Sequence, residues 1–142
     1  METIKLIQIN ASRSIEAMDQ IRQTAEDLKA DIIAIQEPYI NKRGEVGGLS
    51  IRDSLIHHSK ASMACIVIKR PEMTVVKLSQ YTDDHIACAE INYKGQSIVL
   101  INQYCQFRDD IEDHLGKLPA LKEMATRKKT IYMADTNTKS TE

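Results

Sequence analysis

Apolar and polar positions along the chain follow two periods, and the switches between them mark out the elements. Residues 4–9 carry Ile4, Leu6, Ile7 and Ile9 in an imperfect alternation that reads as a strand. Asn10, Ala11 and Ser12 form a turn, where Ser12 or Ser14 can cap a helix and Glu16 suits its first turn. Ile15, Met18, Ile21, Ala25 and Leu28 then recur at three- and four-residue steps, one apolar stripe, with Asp19, Gln23, Glu26, Asp27 and Lys29 opposite. Residues 31–36 are a continuous apolar run of the buried-strand kind, stopped by Glu37 and Pro38. Strand, amphipathic helix and buried strand make a right-handed βαβ unit, so the two strands run parallel and Asn10 and Glu37 leave the sheet on the same edge.

Residues 39–60 are polar and hold Gly44, Gly47 and Gly48, which predicts a loop with a short helix or strand near 49–56. His57 and His58 lie inside it; adjacent histidines on a regular element cannot both face one metal. Strands follow at 62–69, 74–81, 85–93 and 96–104, with Pro71 and the pair Lys94-Gly95 as turns between them. Asp109 and Asp110 open a second helix bearing Ile111, Leu115, Leu118, Leu121 and Met124, which Pro119 kinks or divides. A last strand covers 128–134. There is no internal repeat, low-complexity stretch or linker, so residues 1–142 read as one domain.

Composition narrows the functional classes. A chain of 142 residues with 42% apolar content supports a single core. A net charge of −1 and a pI near 6.4 exclude a globally basic nucleic-acid binder, leaving local patches at Lys42/Arg43, Lys69/Arg70 and 127–129 as ordinary solvated surface or DNA contacts. Cys65, Cys88 and Cys105 lie in or beside apolar runs without ligand spacing, and read as reduced core residues. That usage suits a nuclear or cytoplasmic protein, not a secreted one. No signal peptide precedes Lys5, and no apolar run approaches the roughly 18–20 residues of a membrane span.

Four apolar runs end in polar groups: Asn10, Glu37, Tyr104 and Asp135, the last followed by Asn137. Ligands bind at the carboxyl ends of strands in open α/β sheets. A magnesium ion prefers oxygen ligands and needs only one or two carboxylates with a phosphate and waters. Glu37 offers such a carboxylate, and Asn10 can hold the ion's water or the phosphate. Asp135 can orient or deprotonate a water, Asn137 can donate to a phosphoryl oxygen, and Tyr104 can bond the phosphate or assist a leaving oxygen. Taken singly, each has an ordinary explanation: a turn residue at Asn10, a solvated strand end at Glu37, an Asx turn at 135–137, a core aromatic at Tyr104.

The ordered set Ile7-Gln8-Ile9-Asn10, Ile35-Gln36-Glu37-Pro38, Val99-Leu100-Ile101-Asn102-Gln103-Tyr104 and Ala134-Asp135-Thr136-Asn137 resembles the motifs of the endonuclease/exonuclease/phosphatase fold. Within it the chain looks most like the endonuclease domain of non-LTR (LINE-type) retrotransposon polyproteins. The resemblance implies an α+β fold, a four-layer αββα sandwich, here incomplete at the C-terminus. It implies a Mg2+- or Mn2+-dependent nuclease, a phosphodiester hydrolase without organic cofactor. Such an enzyme nicks target DNA and leaves a 3′-hydroxyl for a linked reverse transcriptase, with no role for a membrane. Glu37 matches the metal-binding glutamate and Asn10 the asparagine beside it; Tyr104, Asp135 and Asn137 match catalytic positions.

The chain also departs from the pattern. Ala134 stands where the motif usually has glycine, and Cys105-Gln106 replaces a proline-containing turn. The family's later aspartate and terminal Asp-His pair have no counterpart before Glu142. His85 and His114 precede the last motif and are set aside as replacements, being assigned to a strand and a helix. The alternatives are therefore a catalytically inactive remnant with an interaction role, or a phosphatase or phospholipase of the same fold.

Overall fold

The computed structural model describes residues 3–47, 53–104 and 129–135, with the Asp135 side chain left out. Among the described residues, eight strands form two four-stranded sheets. The first has the order β1-β2-β4-β3, built from β1 (Leu6–Asn10), β2 (Ile32–Gln36), β3 (Ser54–Ile56) and β4 (Ala64–Ile68). The second, β5-β6-β7-β8, is built from β5 (Thr74–Lys77), β6 (Ile86–Tyr93), β7 (Gln96–Tyr104) and β8 (Lys129–Asp135). β1 and β2 are parallel, as are β7 and β8, and the other pairs are antiparallel. The fold is α+β, as expected.

Alternation along the strands sorts side chains into layers. Ile32 and Ala34 of β2 face Ile66 and Ile68 of β4, Ala87 and Ala89 of β6 and Leu100 of β7 in the core between the sheets. Ile33 and Ile35 point the other way, onto Met18, Ile21 and Ala25 of helix α1 (Ile15–Leu28). Ile15 and Leu28, at the two ends of the predicted stripe, stay exposed. Ser14 caps the helix by accepting the Ala17 N–H at 3.2 Å, and Lys29 closes it in a left-handed conformation. The outer face of the second sheet is also apolar, with Ile86, Cys88, Val99 and Ile101 buried there. The second helix expected to open at Asp109 and Asp110, and Cys105, lie outside the described residues. Cys65 and Cys88 are buried free thiols, as read from sequence, and burial pushes both up to about 12.

Local chemistry moved some boundaries. The run at 74–81 stops as a strand at Lys77, because Thr82 Oγ1 donates to Leu78 O at 2.9 Å and residues Ser79–Tyr81 wind into a 3-10 turn. β6 starts at Ile86 rather than His85, since Asp83 Oδ1 takes the N–H groups of both residues at 2.8 and 3.0 Å. The hairpin at Lys94-Gly95 is a two-residue turn with both φ angles positive, the conformation that matches strand twist. The loop after β2 is tied by an Ile40–Val46 bridge and contributes β3, the strand option of the two foreseen near 49–56.

Candidate active site at the strand ends

The parallel β1–β2 pairing puts Asn10 opposite Gln36, and Glu37 follows directly. Asn10 Nδ2 donates to Glu37 Oε2 at 2.7 Å, while Asn10 Oδ1 accepts the Ser12 N–H at 2.8 Å. The second bond fixes which end of the amide faces which way: an oxygen engaged with an N–H leaves the NH2 for the carboxylate. Asn10 thus orients Glu37. The backbone around Glu37 is pinned as well, its N–H donating to Met63 O and its carbonyl accepting the Arg13 N–H, both at 2.8 Å. Among the described residues, three of the five non-glycine residues with positive φ gather here: Ser12 (50°), Arg13 (57°) and Glu37 (50°). Left-handed conformations of this kind cost about 1 kcal/mol or more each and persist where surrounding contacts hold them.

The second sheet meets this edge from across the core. Tyr104 pairs with Asp135 in the parallel β7–β8 ladder, so both close their strands at one level. Two cross-sheet contacts bring that level to the Asn10–Glu37 edge. Gln8 Nε2 of β1 reaches Ala134 O at 3.4 Å, one residue before Asp135. Asn102 of β7, fully buried, donates to Ile35 O at 3.1 Å and Cys65 O at 2.8 Å, and accepts from Gln36 Nε2. The carboxyl ends of β1, β2, β7 and β8 are therefore gathered at one end of the sandwich. Tyr104 is only 2% exposed and packs in the inter-sheet core. Asn137 lies outside the described residues.

Four residues that the sequence pattern did not mark as site residues belong to this end. Gln36 and Asn102 form the buried amide bridge; their only sequence signal is a polar residue inside an otherwise apolar strand. Arg13 sits in the turn after β1, with its guanidinium donating to the Met63 thioether. His85, set aside on sequence order as a strand residue, lies just before β6, and its carbonyl accepts the Tyr104 N–H at 2.8 Å. Antiparallel pairing brings the start of β6 to the end of β7, which order along the chain conceals.

The donor set suits a hard cation. The Glu37 carboxylate is its oxygen group; Asn10, expected as a second metal-holding residue, turns its NH2 toward that carboxylate and its Oδ1 toward the Ser12 N–H, so it steadies Glu37 instead, and the nearby Cys65 is a protonated core thiol. Among the described residues no three His, Cys, Asp or Glu side chains cluster well enough to hold a metal, His57 and His58 included. The basic pair Lys69/Arg70 is engaged elsewhere, with Asp53 at 3.5 Å and with Asp31 and Glu72 at 3.6 and 3.5 Å.

No protein-family model and no curated protein sequence matches the chain. Solved structures do. The endonuclease domain of TRAS1, a telomere-specific non-LTR retrotransposon, superposes with a TM-score of 0.83 at 23% identity, over 98% of this chain and 61% of that one. The chain carries the endonuclease/exonuclease/phosphatase fold. D. rerio TDP2 complexed with a single-strand DNA product gives a TM-score of 0.66 at 12% identity, over 96% and 62% of the two chains. A Bacteroides thetaiotaomicron mannosyl-6-phosphatase gives 0.67 at 13%, over 99% and 67%. The chain thus spans about three fifths of the TRAS1 domain.

Proposed function

We propose that the chain supplies the metal-binding half of a DNA endonuclease, a phosphodiester hydrolase that nicks one strand and leaves a 3′-hydroxyl for a linked reverse transcriptase. The observation that carries this reading is the 2.7 Å Asn10–Glu37 contact, an oriented carboxylate on the edge where four strand ends meet. Glu37 would share a Mg2+ or Mn2+ ion with a substrate phosphate, with Asn10 holding the carboxylate in place. Asp135 would orient or deprotonate the attacking water and Asn137 would donate to the scissile phosphate; Tyr104, expected to bond the phosphate or assist the leaving oxygen, is buried in the core and would support the site from behind. When bound, the ion supplies charge neutralisation at the phosphoryl oxygens. The likeness to a retrotransposon endonuclease domain and to a DNA-bound TDP2 supports nucleic acid as the substrate class. A nuclear or cytoplasmic site of action goes with it.

The likeness to a sugar phosphatase favours a second reading, hydrolysis of a soluble phosphoester. One assay separates the two. The chain is incubated with supercoiled plasmid, and separately with mannose 6-phosphate, in magnesium, in manganese and in EDTA. The expected result is nicked circles with either ion, none in EDTA, and no phosphate released from the sugar. Phosphate release without nicking selects the phosphatase. Neither product, even at high protein concentration, leaves an inactive remnant and ends the nuclease reading.

A further inference from the structure

The loops that lead into β4 and β6 meet at the level of Glu37, and a side-chain bond joins them. Ser59, before β4, donates from Oγ to Oδ1 of Asp84, before β6, at 2.7 Å, so the contact runs from one sheet to the other. Both ends are tied down. Ser59 Oγ also accepts the Ala61 N–H at 3.0 Å, and the buried Ser62 Oγ accepts the N–H groups of His58 and Ser59 at 3.0 and 2.8 Å. On the other loop, Asp83 Oδ1 holds the N–H groups of His85 and Ile86. The backbone beside this pair leads to Glu37. The Met63 N–H donates to Asp84 O at 2.6 Å, and the Met63 carbonyl accepts the Glu37 N–H at 2.8 Å. One residue beyond Asp84, the His85 carbonyl accepts the Tyr104 N–H at 2.8 Å. A line of backbone bonds thus runs from Glu37 through Met63 and Asp84 to the level where Tyr104 and Asp135 close their strands. Glu37 itself holds a φ of 50°, a conformation that persists only where its neighbours fix it.

We propose that Ser59 and Asp84 are a positioning pair for Glu37, their bond fixing the Met63 peptide from which the Glu37 backbone hangs. This rests on the endonuclease reading, in which the Glu37 carboxylate holds an ion, and deepens it by naming what sets that carboxylate against the second sheet. Breaking the pair frees the loops before β4 and β6 to move apart, and Glu37 then follows the first sheet alone. Groups that orient a metal-holding side chain from behind set its affinity for the ion about as strongly as tenfold or more.

The test has two readouts. The first is amide hydrogen exchange of the full chain in EDTA, which needs neither ion nor DNA. Ser59→Ala and Asp84→Ala should each speed exchange at the Glu37 and Met63 amides about fivefold to tenfold, the scale of one hydrogen bond, with the Ile33 and Leu100 amides unchanged. The second is nicking of supercoiled plasmid against manganese concentration. The half-maximal concentration should rise about tenfold in both variants, while the maximal rate falls less. The double variant should be no worse than either single one, because both remove the same bond. Ser59→Thr and Asp84→Asn keep a donor and an acceptor, and should recover both readouts. Ser97→Ala removes a comparable bond, to Glu90 in the β6–β7 hairpin, and should change neither. Circular dichroism confirms folding; if Asp84→Ala does not fold, Ser59→Ala, which deletes a single oxygen, carries the test. Unchanged exchange at Glu37 and Met63 in folded Ser59→Ala overturns the proposal, as does exchange that rises equally at Ile33 and Leu100. Faster exchange at Glu37 in Ser59→Ala, with a wild type that never nicks, would remove the endonuclease reading and leave the pair's role standing. Nicking by wild type, with exchange and manganese dependence unaltered in Ser59→Ala, would do the reverse.

Discussion

The two sheets bring different kinds of structure to the same end of the molecule. On the first sheet the strand ends form a rim: Asn10 is exposed, Glu37 is partly so, and the backbone there adopts left-handed turns held by hydrogen bonds. On the second sheet the corresponding level is a seam, with Tyr104 and Asn102 buried and Gln36 reaching across to join them. The rim holds charge where solvent and substrate can reach it. The seam holds no charge and fixes how far apart the two sheets stand. The contrast teaches that orientation of the carboxylate and spacing of the site are set by different residues, and so can be broken separately.

The largest expected effect is on the seam. Asn102→Leu keeps the volume but leaves the buried Gln36 amide without its acceptor and takes from Ile35 O and Cys65 O, which keep their strand partners, a second donor each. An orphaned buried amide costs about 1–3 kcal/mol and each lost hydrogen bond about 1 kcal/mol, so urea unfolding should show a loss of about 3–5 kcal/mol. A loss under about 1 kcal/mol would mean that water or repacking replaces the bridge, and that the seam does not set the spacing.

Next comes the rim, where the effect should fall on activity instead. Glu37→Gln keeps the shape but removes the charge that an ion would share with phosphate. Magnesium-dependent nicking should drop roughly a hundredfold or more while the unfolding midpoint scarcely moves. Equal losses of activity from Glu37→Gln and from a surface change such as Glu26→Gln would show that the rim carboxylate has no special role.

The rim was legible from sequence because its logic is one-dimensional. A strand, a helix and a second buried strand fix a parallel pair, and a parallel pair fixes a shared edge for Asn10 and Glu37. The hairpin at Lys94-Gly95 and the stripe on α1 were legible for the same reason, since period and turn chemistry are local. The seam was not. Asn102 finds its partners 37 and 67 residues away, and nothing local distinguishes it from a strand polar residue facing water. Arg13 and His85 were missed for a related reason: a left-handed turn aims the one, and antiparallel pairing brings in the other. Ile15 and Leu28 err the opposite way, because periodicity names the stripe but not how far the sheet beneath extends.

The smallest effect asks whether rim and seam move as one. His57 is partly buried, and burial lowers its pKa from the ordinary 6.5, helped by Lys77 and His58 and opposed by a hydrogen bond to the Gly44 backbone. Because the folded value lies below the unfolded one, the unfolded chain takes up the proton first as pH falls. The contribution to stability is therefore intact above the ordinary value and is lost on the acid side. The loop that carries Gly44 and follows Glu37 helps to cover His57, so protonation should favour openings of that loop that return the imidazole to water. Hydrogen exchange, corrected for intrinsic rates, should show the Gly44 and Gly47 amides losing protection between about pH 7 and pH 5, with His57→Gln abolishing the change. The amides of β7 should hold, since β7 lies in the other sheet. If they loosened in step with the loop, the carboxylate rim and the amide seam would be one cooperative unit, and changes at either could not be assigned to orientation or spacing alone.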